Sequence, residues 1–554
     1  MAAGGIHGIG SSPLSEALRE GEMTAGLVQP EMTAENTAPS ATPRESGGRR
    51  RDRRAQAGRG GGPRQQPFGQ VPNTYRPIEV MSADQVEAIH LASLKVLAET
   101  GIEVMHDESR ARLKTAGAEV DEATQRVRFD PALVEEKIKT IPAGFKMHAR
   151  NPAYHVEAGG GQMIFAATGG PAFAHDLDRG RRPGNYADMC DYIRLVHSLN
   201  IIHQEGGCPV EPTDLPPDSR HLDFYQAALT LTDKTWQCWA LGRYRVEDAL
   251  NMIEIAYGMS RAEMAQRPVT LTVINSNSPL KLDIPMGEAL TAMSLAGQPI
   301  ALTPFTLSGA MSPVTIGGAL TQQNAEALAM MTLTQIVRPG APVMYGGFTS
   351  NVDMRTGSPA FGTPEYSKAA LASGQLARRY KVPFRSSNVT ASNCVDVQAA
   401  YEAGMSLWGT IMGGVNLIEH AAGWLEGGLT ASFEKLVLDA EMLQMMREFL
   451  RPIGTNVDDL AVEAIAEVGP GGHFFGTGHT LARFEHAFYE PMLSDWRNFE
   501  TWSESGARTG TDRANAIWKE LLRTYEQPKM DPGIAEGLGD YVARRKEEIA
   551  KGNF

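Results

Sequence analysis

Glu419 and His420 stand side by side where a short apolar run, Val415 to Ile418, stops and Gly423, Gly427 and Gly428 open a loop. The run is short enough to be a fully buried strand. It delivers a carboxylate, which can face a cation, and an imidazole, which when neutral can donate a hydrogen bond without adding charge. A second pair of carboxylates brackets Glu205-Gly-Gly-Cys-Pro-Val-Glu211, again where an apolar run meets glycines. His473 and His479, in Gly469-Pro-Gly-Gly-His-Phe-Phe-Gly-Thr-Gly-His479, have metal-ligand chemistry but no third ligand at convincing spacing. They are read as part of a structural loop folded back on the main body, and no metal is expected.

These residues have to be positioned by elements, and the elements repeat. Apolar strand-like runs begin near Met163, Ile201, Thr235, Val269, Pro299, Pro342, Pro383 and Val415, each followed by a helical pattern. After the last run the pattern starts near Leu429, with Phe433, Leu436, Val437 and Met442 on one face. Eight βα units of this size predict a (β/α)8 TIM barrel over 156–441. No G-x-G-x-x-G follows a strand and no Walker A motif occurs, so neither nucleotide signature is present. In a barrel the chemistry lies where strands end. Those ends are rich in glycine and small polar residues: Thr168-Gly-Gly, Trp239-Ala-Leu-Gly, Asn275-Ser-Asn, Thr306-Leu-Ser-Gly and Ser386-Ser-Asn. In the last strand Asn416, Ile418 and His420 share the more polar parity, so His420 is expected to face the mouth and Glu419 the helices. The loop from Gly347 to Gly362 is long and is read as a lid or an Ω-loop.

Around the barrel, 72–155 reads as a small α+β cap: Ser82 and Gln85 have capping-box spacing before a helix that ends at Gly101. Residues 442–554 read as a helical extension packing on the barrel. Residues 1–70 are rich in Gly, Ser, Pro and Arg, with eight arginines between Ala41 and Arg64, and are expected to be disordered. The net charge of −13 argues against broad nucleic-acid binding and suits a cationic small molecule or a basic partner. Cys190, Cys208, Cys238 and Cys394 form no C-x-x-C, which fits a reducing compartment. With no long apolar run and no signal-peptide pattern, a cytoplasmic protein without membrane contact is expected.

Four strings occur in one order with barrel-like spacing: Asp396-Val-Gln-Ala-Ala-Tyr-Glu402; Glu419-His-Ala-Ala-Gly-Trp-Leu-Glu426; Leu429-Thr-Ala-Ser-Phe-Glu-Lys435 with Asp439-Ala-Glu441; and Val468-Gly-Pro-Gly-Gly-His-Phe-Phe. Over roughly residues 75–525 the chain resembles the trimethylamine methyltransferase family. One branch of that family carries pyrrolysine in the barrel, in the loop corresponding to Ser392–Cys394. Here only standard residues occur, so the chain resembles the second branch, that of glycine betaine methyltransferase, which acts on quaternary amines.

The resemblance implies a methyl transfer from a quaternary amine, best glycine betaine, to the Co(I) corrinoid of a separate corrinoid protein. No tightly bound cofactor is expected, and a homo-oligomer is. A quaternary nitrogen leaves as a neutral tertiary amine, so the protein has mainly to position its substrate. On that reading Trp239, Phe305, Tyr345, Phe348 and Trp424 are candidates for an aromatic cage, each with a plain alternative in the core. Glu205 and Glu211 complement the ammonium; His420 binds a betaine carboxylate or meets the corrinoid; Arg385 is an alternative carboxylate anchor, with Asn388 beside it. Trimethylamine or another betaine as donor, a tetrahydrofolate acceptor, and a non-catalytic betaine-binding protein are the alternatives.

Overall fold

The computed structural model describes residues 63–554. Its centre is a seven-stranded parallel sheet built from β1 (Ile164–Ala167), β2 (Trp236–Gln237), β3 (Thr270–Ile274), β4 (Ile300–Leu302), β5 (Val343–Gly346), β6 (Phe384–Ser387) and β7 (Leu417–Ala422), in the order β1-β7-β6-β5-β4-β3-β2. β1, β4 and β5 carry no charged side chain and are buried on both faces, as parallel strands covered by helices are, whereas β6 and β7 bring Arg385, Glu419 and His420 into the sheet. Those helices are α1 (Tyr186–Ser198), α2 (Arg220–Leu231), α3 (Arg243–Tyr257), α4 (Ile284–Leu295), α5 (Ile316–Val337), α6 (Pro364–Tyr380), α7 (Val397–Met412) and α8 (Phe433–Phe449).

The strand expected near Ile201 is replaced by a single residue. Gln204 forms parallel bridges to Ala166 in β1 and to Thr235 at the start of β2, the two edges of the sheet. Pairing goes no further for a local reason. His203 Nδ1 accepts the Phe165 N–H that a continuing ladder would use (3.0 Å), and Gly206 and Gly207 follow at once.

The side chains on the inner face sort the two ends of the sheet. Ile164, Ala166, Leu271, Ala301, Met344 and Leu417 pack into one buried cluster, which Met147, Val156 and Ala158 join. The last three lie on the paired strands Gly144–Met147 and Val156–Gly159, so the end where the strands begin carries an apolar plug. Chemistry is left to the other end. Leu417 belongs to this inner cluster, which reverses the expected parity of the last strand: Glu419, not His420, continues the inward row.

The cap is joined to the main body, because its strand Ile102–Val104 pairs in parallel with Lys281–Leu282 between β3 and α4. Two other expectations are revised. The segment after β5 is an ordered rim rather than a loose lid: Phe348–Val352 pairs in parallel with Phe305–Ser308 and antiparallel with Pro359–Ala360. The loop around His473 and His479 does not fold back on the sheet; Phe475 and its neighbours are exposed, and His479 Nε2 meets only the Asp458 carbonyl (3.1 Å). Most of the Arg-rich segment lies outside the described residues, but its last part is held in place. Gln65 Nε2 donates to the Ser198 carbonyl (2.9 Å), and Phe68 packs edge-on to Tyr154.

Helix α8 ties the rest together and runs on to Phe449, past the expected boundary at 441. Glu434 accepts from Trp518 Nε1 (2.8 Å), which anchors α9 (Gly510–Arg523), and Trp518 also meets Phe433 at 5.1 Å. The last helix, α10 (Pro532–Ala550), is held by Tyr541 and Arg545, which both donate to the buried Asp248 of α3 (2.7 and 2.8 Å).

Candidate active site

A cavity of about 400 Å³ opens where the parallel strands end. Its wall takes Gly169 from the turn after β1, Gln237 from β2, Arg385 from β6, and Glu419 and His420 from β7, while Gly206, Gly207, Gly427 and Gly428 line its rim. The adjacent residues Glu419 and His420 both reach it because β7 is bulged. Ile418 pairs with Phe165 and Ala422 with Ala167, so β7 spends two extra residues against β1, and His420 takes a left-handed conformation (φ 54°). Glu419 keeps the inward direction set by Leu417, and the turn at His420 swings the imidazole over the same opening.

The floor of the cavity is polar, buried and only partly satisfied. Glu419 accepts from Gln237 Nε2 (2.7 Å), while its other oxygen is buried without a partner among the described residues. Glu205, expected as a catalytic carboxylate, does not itself line the cavity; it lies behind the rim, accepts the Gly207 N–H (2.9 Å) and likewise leaves one oxygen bare. Burial pushes Glu205 up to about 8, with the charge of Glu419 adding to the effect. Burial also pushes Glu419 up to about 7, against the pull of Arg385 and Gln237. Two buried carboxyls so close do not readily both ionise.

Arg385 is 2% exposed and its guanidinium makes no hydrogen bond among the described residues; its Nε and Nη1 are buried without partners. Burial holds its guanidinium below the usual range, opposed by the carboxylate of Glu419. An arginine left this bare is costly unless something else supplies the missing acceptor. His420 is held neutral by burial, with Arg385 adding to the effect; its Nδ1 takes a long contact from the Gly169 N–H (3.4 Å) and its ring meets Trp424 edge-on at 4.3 Å.

Of the expected cage, four aromatics line the cavity and one does not. Phe305 and Phe348 lie 5.0 Å apart, Trp424 stacks on Phe348 at 5.8 Å, and Trp239 forms the opposite side with Arg245 5.1 Å from its ring. Tyr345 is a correction: its side chain turns outward to the helices, where Gln323 donates to its hydroxyl (3.2 Å) and Asn324 accepts from it (3.1 Å). Parity decides this, since Met344 is the inward residue of β5. Glu211 is a second correction, being paired with Arg220 away from the cavity. Asn388 is a third: it stands behind β7 and donates to the Ala421 carbonyl (3.0 Å), bracing the bulge rather than lining the opening.

Gln237 was not expected. Its signal was present in Thr235-Trp-Gln-Cys-Trp239: a polar side chain in a buried run, on the same parity as Trp239. The support behind the bulge was also missed. Asp439, fully buried and paired with Lys435 on α8, accepts the Gly423 N–H (2.9 Å) and so fixes the turn between His420 and Trp424.

A family model described as trimethylamine methyltransferase (MTTB) matches residues 46–550. The chain belongs to the trimethylamine methyltransferase family. A glycine betaine methyltransferase of Desulfitobacterium hafniense (strain Y51) is 36% identical over 473 residues, covering 85% of this chain and 98% of its own length. The trimethylamine methyltransferase MttB2 of Methanosarcina mazei is 26% identical, covering 86% of this chain and 97% of its own. Among solved structures, the hydroxylamine MtmB complex aligns at a TM-score of 0.42 and 11% identity, over 82% of this chain and 92% of its own, a level that adds nothing to the assignment. As a member of the trimethylamine methyltransferase family the chain is an enzyme that transfers methyl groups, so the non-catalytic reading falls away. No helix among the described residues is long and apolar enough to cross a membrane.

Proposed function

We propose that this methyltransferase takes its methyl group from a quaternary amine that also carries a carboxylate, a betaine of the glycine betaine type, and passes it to the Co(I) corrinoid of a separate protein. The observation that carries the reading is Arg385, buried at the cavity wall with guanidinium nitrogens that no described residue satisfies. Trimethylamine offers nothing to such a group, whereas a betaine carboxylate matches it. The relative named glycine betaine methyltransferase, at 36% identity, supports the same donor class.

In this reading Arg385 holds the carboxylate. The ammonium lies among Phe305, Trp424 and Trp239, facing Glu419, whose ionisation the cation favours. Gln237 keeps the Glu419 carboxylate turned into the cavity (2.7 Å), and Glu205 behind it adds negative potential when it ionises. The corrinoid supplies the nucleophile that accepts the methyl carbon. The electron pair of the broken C–N bond stays on nitrogen and leaves a neutral tertiary amine, so no residue has to deliver a proton. The glycines at the rim keep side chains off the mouth, as a bulky planar acceptor brought by another protein requires. Neutral His420 stands at that mouth and orients the donor without repelling its charge.

We also read the sheet as a (β/α)8 barrel whose second strand is reduced to Gln204, since that residue bridges both edges. The four cysteines are unpaired, which supports a reducing, cytoplasmic setting.

The test is spectroscopic. This chain, a reduced corrinoid protein and a panel of donors should show the Co(I) absorbance lost with glycine betaine and not with trimethylamine. Equal turnover of trimethylamine would overturn the reading. Calorimetry should also show dimethylglycine binding at least about tenfold more weakly than glycine betaine, because the fixed positive charge and third methyl are absent.

A further inference from the structure

One buried side chain holds the aromatic wall of the cavity from behind. Phe305 and Phe348 stand at matching positions on the paired rim strands Phe305–Ser308 and Phe348–Val352, and both line the cavity. Alternation along each strand sends Thr306 and Thr349 the other way, toward α5, where both are buried. Gln323 of α5 meets them there. Its Oε1 accepts the backbone N–H of Phe348 (3.2 Å) and the hydroxyl of Thr349 (2.7 Å), and the Thr349 hydroxyl in turn meets that of Thr306. A single carboxamide oxygen thus holds the Phe348 strand directly and the Phe305 strand through two threonines.

The orientation of that carboxamide is fixed. A backbone N–H can only donate, so the oxygen faces Phe348 and the nitrogen points away from it. There Nε2 donates to the hydroxyls of Tyr345 on β5 (3.2 Å) and Ser373 on α6 (3.0 Å). Gln323 is fully buried and leaves neither polar atom bare, unlike Glu205, Glu419 and Arg385 at the cavity floor. A buried polar group that is fully satisfied adds little net stability, but it specifies one geometry. The wall needs such a hold. Trp424 stacks on Phe348 at 5.8 Å, and the Arg385 guanidinium lies 5.4 Å from the Phe348 ring. Gly347, just before Phe348, has no room for a side chain, since an added Cβ would lie 2.6 Å from Cβ of Ser373. The wall is therefore pressed against α6, and Gln323 sets where it stands.

We propose that Gln323 is a positioning residue for donor recognition: it sets the width of the aromatic cage that tells a trimethylammonium group from smaller amines. Gln323 does not line the cavity and acts only through Phe348 and Phe305. The inference rests on the cage reading given above and adds the residue that fixes its dimensions. A cation is held by a ring only within a short range of its centroid, and a misplacement of about 1 Å in a site is enough to cost tenfold or more.

Two neighbouring amides on α5 provide the test. Gln323→Met keeps the volume and removes the acceptor. Asn324→Leu removes an equally buried amide whose partners, Tyr345, Tyr380 and Ser93, all lie away from the rim. Both variants should lower the melting temperature of the full chain. Only Gln323→Met should weaken the calorimetric affinity for tetramethylammonium and glycine betaine, by about tenfold, and reduce the discrimination against dimethylglycine to about threefold or less. Thr349→Val removes the hydroxyl that joins Gln323 to Thr306; it should shift affinity and discrimination the same way by less, and it stands in if Gln323→Met does not fold. Wild-type affinity and discrimination in the Gln323 and Thr349 variants, or an equal change in Asn324→Leu, would overturn the proposal. A second readout needs no donor. In ligand-free protein labelled with fluorotryptophan, the fluorine resonance of Trp424, assigned with Trp424→Phe, should move in Gln323→Met and stay in Asn324→Leu. A resonance that stays in both would also overturn the proposal. A wild type that binds none of these amines would instead sink the proposed donor class, and the Trp424 resonance would still decide the role of Gln323.

Discussion

Arg385 and Glu419 together make the cavity a place for a zwitterion. The buried guanidinium lacks acceptors, and the buried carboxylate keeps one bare oxygen. Arg385→Gln should therefore cut kcat/KM for glycine betaine by about ten- to a hundredfold, the equivalent of a lost charge-assisted hydrogen bond of ~1.5–3 kcal/mol. Tetramethylammonium, which has no carboxylate, should bind wild type and variant alike. The carboxyl pair predicts a pH dependence of opposite sign for binding and for stability. Glu205 and Glu419 are pushed up to about 8 and about 7, so between the ordinary carboxyl range and those values the folded chain holds more protons than the unfolded one. Their contribution to stability is full at acid pH and is lost as pH rises through 7 to 8. Affinity for an ammonium runs the other way and should strengthen over the same range. Glu419→Gln should flatten the affinity profile in calorimetry and, near pH 8.5, leave the melting temperature unchanged or higher. His420→Ala should slow methyl transfer by about tenfold, ~1.4 kcal/mol, with little change in melting temperature, because the ring lines an opening rather than filling a core.

At the scale of elements, the site depends on how α8 holds the bulge of β7. Lys435 and Asp439 are both fully buried and face each other one helical turn apart, and Asp439 also takes the Gly423 N–H. Lys435→Met leaves that carboxylate buried without its cation, at a cost of about 3–5 kcal/mol. Urea unfolding should show the loss, and Lys435→Met/Asp439→Leu should recover part of it. Gly423 itself admits no side chain: its φ is +99°, and an added Cβ would sit 1.6 Å from the hydroxyl of Tyr192. Gly423→Ala should therefore destabilise the fold by at least ~1–3 kcal/mol through overpacking. It should also lower activity beyond that, because the displaced turn carries His420 and Trp424.

For the whole molecule, the C-terminal helices are part of the fold rather than an appendage. Asp248 is buried in α3, and two of its three side-chain partners, Tyr541 and Arg545, come from α10, the third being His221 of α2. Glu434, fully buried in α8, takes Trp518 Nε1 from α9. Removing residues 506–554 should leave these carboxylates short of partners and uncover Phe433, and the truncated chain should be insoluble or lack a cooperative melt. Removing 532–554 alone should give a folded but less stable chain, seen as a lower melting temperature, since Asp248 keeps His221 (2.9 Å).

Periodicity and composition by themselves determined the alternation of runs and helices, the helix starts at Ser82 and Asp130, and the strand ends where Gly169, Trp239, Phe305, Arg385 and Glu419 gather. Such local signals survive because a buried parallel strand and an amphipathic helix each impose their own repeat on the chain. Directions were decided elsewhere. The inward face of β7 follows from Leu417 packing against Ile164 and Ala301, and the turn of His420 follows from a bulge against β1; neither partner is near in sequence. Tyr345, Glu211 and Asn388 have suitable chemistry, but strand parity, Arg220 and the Ala421 carbonyl take them out of the cavity. Gln237 and Asp439 enter the site only through contacts that join segments far apart in the chain. The chain's residue types and spacings limit which groups reach a strand end, whereas packing between distant segments decides which of them face one another.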